Sequence, residues 1–308
     1  MRHFLIDTDT ASDDAIAIIM ALREPSIKVE AITVLAGNCP LDQCVENALK
    51  SIELANTYQP PVYAGASKPL LRKQINGVGV HGEDGLGNLN LSPAAIKVSK
   101  GHAVDKLIET AKKYPGELEI VTIGPLTNLA LALLNDPELP QLIKHVYIMG
   151  GAGFGPGNVT FVAEFNVWAD AEAAQIVIGS ELSKSIVGWD VCIGDAFFDA
   201  NDIEQLHKTG PLGEFAARST QLLREFGRKF GKDGIDLADP TTIAVAMYPE
   251  IITKQLKTFA EVDYKSEAGY GQLIIDKFRV SENKHNAVIV YDINAKAFKG
   301  KLFSLLLE

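Results

Sequence analysis

The sequence predicts a single α/β domain spanning residues 1–308, with a mostly parallel central sheet flanked by helices and a Rossmann-like core. Three observations predict it. Short β-branched runs alternate with longer amphipathic or apolar runs along most of the chain, the pattern of successive β-α-β units. No linker or change of composition divides the 308 residues. Hydrophobic residues make up 47% of them, enough to bury a large core.

The elements follow in order. His3 to Ile6 is an apolar run of strand length, and Ala15 to Leu22, apolar almost all round, suits a helix buried against a sheet and ended by Pro25. Val29 to Leu35 is a β-branched strand that ends at Gly37-Asn38 and completes the first unit. An amphipathic helix from Leu41 to Asn56 and a short strand, Val62-Tyr63-Ala64, come next. Residues 76–90 (NGVGVHGEDGLGNLN) are glycine-rich without periodicity and read as a loop, either a connector or a lid over a site.

Helix 102–113, strand Leu118 to Ile123, helix Pro125 to Leu134 and strand His145 to Met149 restore the alternation. Gly150 to Asn158 is a second glycine-rich stretch; it lacks the Gly-Lys-Ser/Thr ending of a phosphate loop and the prompt helix of a dinucleotide fingerprint. Helix 169–179, strand Ser185 to Val191 and helices 201–208 and 211–226 follow. Residues 226–236 (FGRKFGKDGID) read as a solvated helix end, with a second mobile rim as the alternative. Alternating runs at 258–263, 273–278 and 287–291 are strands, and Ala295 to Leu307 closes the chain as a helix.

A net charge of -10 argues against nucleic-acid or anionic-membrane partners and favours a small neutral or cationic molecule. Cys39, Cys44 and Cys192 are an odd set without a Cys-x-x-Cys pair, as expected of free thiols in a reducing cytoplasm. No apolar run has membrane-spanning length, and only Met1 and Arg2 precede the first strand, so neither a membrane span nor a signal peptide is expected.

Chemistry concentrates at the first strand-to-helix turn, where Asp7, Asp9, Asp13 and Asp14 fall within eight positions. Crowded anions repel and resist burial, so a carboxylate cluster at a strand end calls for a cation. In open α/β sheets ligands also sit outside the carboxyl ends of strands. A solvated acidic turn with Asp13 capping the next helix is the competing reading. Oxygen ligands without neighbouring His or Cys suit Ca2+ or Mg2+ rather than Zn2+.

Two families share an apolar strand followed by Asp-x-Asp. The chain partly resembles haloacid-dehalogenase-type phosphatases, with Asp7 as nucleophile, Asp9 as acid, Thr122 as a second motif and Gly194 to Asp199 as an acidic final motif. That match leaves Asp13-Asp14 unexplained. More fully it resembles the inosine-uridine-preferring nucleoside hydrolases, whose Asp-x-Asp-x-x-x-Asp-Asp signature is Asp7 to Asp14 here. Gly37-Asn38, His81 to Gly87, Gly124 to Asn128, Met149-Gly150-Gly151, Asn158, Ala163 to Asn166 and Asp239-Pro240 follow in that family's order.

This resemblance implies the nucleoside hydrolase fold and hydrolysis of a ribonucleoside to ribose and a free purine or pyrimidine base. It implies Ca2+ held by Asp9, Asp14, Asp239 and the backbone carbonyl of Ile123, with Asp9 also taking a proton from metal-bound water. Asp13, Asn38, Met149, Asn158, Glu164 and Asn166 are implied for the ribose, with Asp7 bracing Asp9 from behind. Several members carry a His before the Asp-Pro pair to protonate the base, where this chain has Ala238, which leaves His81 as the candidate leaving-group acid. Trp189, Phe226 and Phe230 are candidate base-stacking residues, and Cys44 is expected to be a buried small residue. Members are commonly dimers or tetramers, so a homodimer or homotetramer is expected. A non-catalytic nucleoside- or ribose-binding protein is the alternative without chemistry.

Overall fold

The computed structural model describes residues 1–228 and 231–307. Its strands are β1 (Arg2–Thr8), β2 (Ile27–Val34), β3 (Val62–Ala64), β4 (Leu118–Thr122), β5 (Ile143–Met149), β6 (Lys184–Val187), β7 (Ile252–Thr258), β8 (Ala260–Asp263), β9 (Gln272–Ile275) and β10 (Ala287–Ile293). Eight of them form one sheet in the order β3-β2-β1-β4-β5-β6-β10-β7. The 3-2-1-4-5-6 portion is the Rossmann order, parallel throughout, and the order of the chain reverses between β1 and β4. Only the edge strand β7 runs antiparallel, against β10, while β8 and β9 pair separately. The fold is thus the expected single-domain α/β layer structure, helices covering both faces of the sheet.

Alternation along β1 builds the two faces. Phe4 and Ile6 join one buried cluster and Leu5 the other, so each neighbouring residue meets helices on its own side. On the first face the helix Ser12–Arg23 is buried from Ser12 to Leu22, packed between the helices Leu41–Ala55 and Ala238–Met247. That enclosure explains why it lacks a polar stripe. Glu24, just past its end, accepts a hydrogen bond from the Tyr248 hydroxyl and ties the helix to the far end of Ala238–Met247.

Several elements differ from the sequence expectation. The strand expected to reach Val191 stops at Val187, and Trp189–Cys192 forms a helical turn instead. The break falls at Gly188, where a Cβ would come within 2.8 Å of the Gly153 backbone. The helix expected at 169–179 is present as Ala171–Gly179, capped by Asp170, whose carboxylate accepts the Ala173 N–H, and a short unexpected helix, Phe165–Ala169, precedes it. Pro211–Ser219 and Gln221–Arg228 replace one helix at 211–226. Within the loop 76–90, Val78–His81 makes one helical turn.

The buried helix Ala238–Met247 and the edge strand β7 lie where no regular element is expected. The helix is enclosed on every side and so has no amphipathic period; most of β7's side chains face solvent and are polar. Among the described residues, no helix is long and apolar enough to cross a membrane.

Candidate active site

The carboxyl ends of β1 and β4, the two strands at the reversal, deliver the centre of the site. β1 ends in Asp7-Thr8 and leads through Asp9 to the helix that begins at Ser12, so Asp13 and Asp14 lie in its first turn. Asp239 comes from the first turn of Ala238–Met247, which packs beside that helix. One oxygen from each of Asp13, Asp14 and Asp239 lies within 4.8 Å of the others, a set able to hold a metal ion. These aspartates, together with Asp9, are buried.

Their protonation records the crowding. Burial, then Asp14, pushes the Asp9 carboxyl well above the usual carboxylate range. Burial and the charges of Asp13, Asp14 and Asp9 do the same to Asp239. Asp14 is raised to about 6 by burial and then by Asp13, and Asp13 to about 7 by burial and then by Asp236. A cation would remove the cost of ionising them together.

Asp9 is held from three sides. Its Oδ2 accepts the Asn38 N–H at 2.6 Å. A Cβ on Gly37 would stand 2.0 Å from Oδ2 and one on Gly124 2.5 Å from Oδ1, so only glycine backbones leave room for this carboxylate. Among the described residues Oδ1 is buried without a hydrogen-bond partner, an orphaned acceptor on a carboxyl that feels the charge of Asp14 and acts on Asp239. Such an atom, with an all-oxygen donor set, fits a hard cation. Cys44 is fully buried beneath, its thiol 3.1 Å from the Asp9 carbonyl.

Asp7 belongs elsewhere. Its Oδ1 accepts the Thr33 hydroxyl at 2.6 Å and the Asn128 amide at 2.9 Å, and burial raises it to about 7. Held in the core by these two donors, it is poorly placed for the phosphatase nucleophile considered above. The support of Asp9 comes from Asn38 and the two glycines rather than from Asp7.

A cavity of about 340 Å3 opens over the aspartates, within the roughly 300 to 1,000 Å3 usual for small-molecule sites. Asp13, Asn38, His81, Ile123, Met149, Asn158, Glu164, Asn166 and Asp239 line it, so nine sequence-predicted residues meet around one space. Several hold each other. Glu164 caps Phe165–Ala169 by accepting the Asn166 N–H at 2.8 Å and also accepts the Gly151 N–H at 2.7 Å, which pins the glycine stretch after β5. Burial raises Glu164 to about 7. Asn158 Oδ1 accepts the Phe165 N–H at 2.9 Å, and the Asn166 amide donates to the Met149 sulfur at 3.1 Å.

His81 is buried, not solvated. Its Nδ1 is 2.7 Å from the Ser12 hydroxyl and 4.0 Å from Asp13 Oδ1, and burial lowers its pKa to about 4. The opposite wall is apolar, built from Trp189, Ile193, Phe197, Leu223 and Phe226, so two of the expected stacking residues do line the cavity. Phe230 lies outside the described residues.

Two residues of this wall carry charge and were not expected: Lys232 and Asp236, from the stretch read as a solvated helix end. Asp236 Oδ2 accepts the Trp189 indole N–H at 2.5 Å, and burial raises the carboxyl to about 6. The mixture of aromatic, basic and glycine residues in 226–236 was the available signal. The solvated helix-end reading holds for Arg228 and for Gly231 to Asp233, which are exposed, but not for Gly234 to Asp236, where Ile235 and Phe198 exchange both backbone hydrogen bonds at 2.9 Å and turn the chain inward.

Comparison with known proteins agrees with this geometry. The family model for inosine-uridine preferring nucleoside hydrolases matches residues 4–300. The pyrimidine-specific ribonucleoside hydrolase RihA of Salmonella schwarzengrund (strain CVM19633) is 37% identical over 297 residues, 96% of this chain and 94% of the relative. Among solved structures, the plant nucleoside hydrolase PpNRh1 superposes with a TM-score of 0.93 at 28% identity, covering 99% of this chain and 98% of that one. The purine-preferring ribonucleoside hydrolase from Gardnerella vaginalis does so with 0.91 at 28%, with the same coverage.

Proposed function

Given that the chain belongs to the inosine-uridine preferring nucleoside hydrolase family, and so is a hydrolase of N-glycosyl bonds, we propose that it cleaves ribonucleosides with Ca2+ held by Asp9, Asp14, Asp239 and the Ile123 carbonyl. The observation that carries this reading is the buried Asp9 Oδ1, without a hydrogen-bond partner among the described residues, in a carboxyl group whose charge acts on Asp239: an acceptor left for a cation. When bound, the ion supplies Lewis acidity toward water and the ribose hydroxyls.

The remaining steps belong to the chain's own groups. Asp9, its carboxylate fixed by Asn38 and flanked by two glycines, takes a proton from the attacking water. Asp13, Asn38, Asn158, Glu164 and Asn166 bind the ribose hydroxyls, and Met149 packs against the sugar. The Glu164 and Asn166 hydrogen bonds pre-set that half of the pocket. As the base departs, positive charge grows on the ribosyl carbon, and the surrounding carboxylates and amide oxygens stabilise it. The apolar wall of Trp189 and Phe226 receives the base.

We further read the enzyme as a cytoplasmic homodimer or homotetramer; its three cysteines are free thiols, as in a reducing compartment. Light scattering tests the assembly.

The test of function is base and reducing-sugar release from inosine, adenosine, guanosine, uridine and cytidine, before and after metal removal. The relatives named above differ in the base they prefer, so both classes belong in the panel. Metal-stripped protein should be inactive and regain activity with Ca2+. Full activity after stripping, or none on any nucleoside with Ca2+ present, overturns the reading.

A further inference from the structure

Among the described residues that line the cavity, Asp236 is the one carboxyl group that neither the cation nor the sugar assignment uses. It stands where the two halves of the pocket meet. Its charge acts on Asp13, on the cation side, while its Oδ2 is bonded to Trp189 of the apolar wall. Its backbone is anchored, because the preceding Ile235 is paired on both sides with Phe198. A nucleoside with its ribose among the aspartates and its base against Trp189 and Phe226 would bring the scissile bond to this junction.

We propose that Asp236 is the acid that gives a proton to the nucleobase as it leaves. This rests on the nucleoside hydrolase reading above. The water oxygen bonds to the anomeric carbon, and the carbon-nitrogen bond breaks with its electron pair passing to the base. The Asp236 carboxyl proton goes to the base, while the proton shed by the water goes to Asp9. Exchange with solvent then returns both carboxyls to their starting states, leaving ribose and neutral base.

The environment suits the task. The Trp189 indole N–H fixes the carboxyl through Oδ2. Burial raises the carboxyl to about 6, which keeps a protonated fraction near neutrality; the Trp189 indole, the residue's own backbone N–H and Lys232, in that order, oppose that effect. Asp13 and the Cys192 thiol are the other titratable groups that sense this carboxyl. The rival donor, His81, is lowered to about 4 by burial and is bonded through Nδ1 to Ser12, so it holds little proton to give.

The test separates leaving groups. Wild type, Asp236→Asn and His81→Ala are compared, with Ca2+ present, on uridine, inosine and 4-nitrophenyl riboside, whose phenolate departs without a proton. General-acid loss predicts a fall of roughly 10²- to 10⁴-fold in kcat on the nucleosides for Asp236→Asn. Hydrolysis of the nitrophenyl riboside should stay within about threefold, and it also reports that the variant is folded. Equal loss on both substrate types, no loss, or the selective loss appearing in His81→Ala instead overturns the proposal. Wild type that releases neither base nor nitrophenolate refutes the hydrolase reading itself.

Discussion

Replacing Gly37 with alanine perturbs Asp9 without touching its chemistry. The new Cβ would stand 2.0 Å from Asp9 Oδ2 and 2.7 Å from its Cγ, whereas ordinary contact begins near 3.4 Å, so the carboxylate retreats by more than 1 Å or the backbone opens. Either movement breaks the 2.6 Å hydrogen bond from Asn38. A catalytic group displaced by about 1 Å costs on the order of 10²-fold in rate, or about 2.7 kcal/mol at 1.36 kcal/mol per decade. Gly37 is not among the glycines with positive φ, so alanine adds no backbone strain of its own. Gly79→Ala is the matched control, since nothing lies within 4 Å of its added Cβ. The assay is kcat/KM for base release, with Ca2+ affinity from calorimetry and thermal melting beside it. Wild-type kcat/KM and Ca2+ affinity in folded Gly37→Ala would refute the fixed-carboxylate role of Asp9.

Other consequences are as direct. Asp7→Asn should release base within about threefold of wild type, because its carboxyl serves Thr33 and Asn128; loss of all turnover would revive a nucleophilic Asp7. The same variant tests linkage. A folded pKa of about 7 against 3.8 means the folded state holds the extra proton, so this group makes stability fall as pH rises from about 4 to 7, by at most roughly 4 kcal/mol. Urea denaturation of Asp7→Asn should lack that part of the fall. Because Asp14 sits at about 6 without a cation, and Asp9 and Asp239 are also raised, Ca2+ must displace protons in acid; calorimetric affinity should drop by roughly tenfold per pH unit per competing proton below neutrality, and a flat profile would count against this ligand set. Gly153→Ala, whose Cβ would meet Asp190 Oδ1 at 1.9 Å and whose φ is +65°, should distort the loop carrying Asn158 and raise KM for nucleosides about tenfold, with smaller change in kcat.

The cation end of the site was legible in the sequence because its parts are local. Asp9, Asp13 and Asp14 occupy one turn between a strand and a helix, and the alternation around them announces the parallel sheet. Asp239 needed the motif order, since its helix is buried on every side and shows no amphipathic period. Asp236 was hidden for a different reason. Its inward direction is set by the pairing of Ile235 with Phe198, a contact across 37 positions that leaves no local trace. The roles of Gly37 and Gly124 are equally long-range, being clearances for a side chain of another strand.

The reversal of chain order between β1 and β4 also divides the labour of the pocket. In the proposed reading the residues assigned to the water, Asp9 with Asp14 and Asp239, lie just past the tip of β1 and in the first turns of buried helices, where a change is felt throughout the core. The surfaces assigned to the base come from the turn after β6, the helix Gln221–Arg228 and the chain leading into Asp236, and among the described residues no strand of the central sheet runs through them. Exchanging residues 221–232 between relatives that favour different bases should therefore transfer preference while leaving Asp236 and the cation ligands in place, a modularity created by the topology of the sheet.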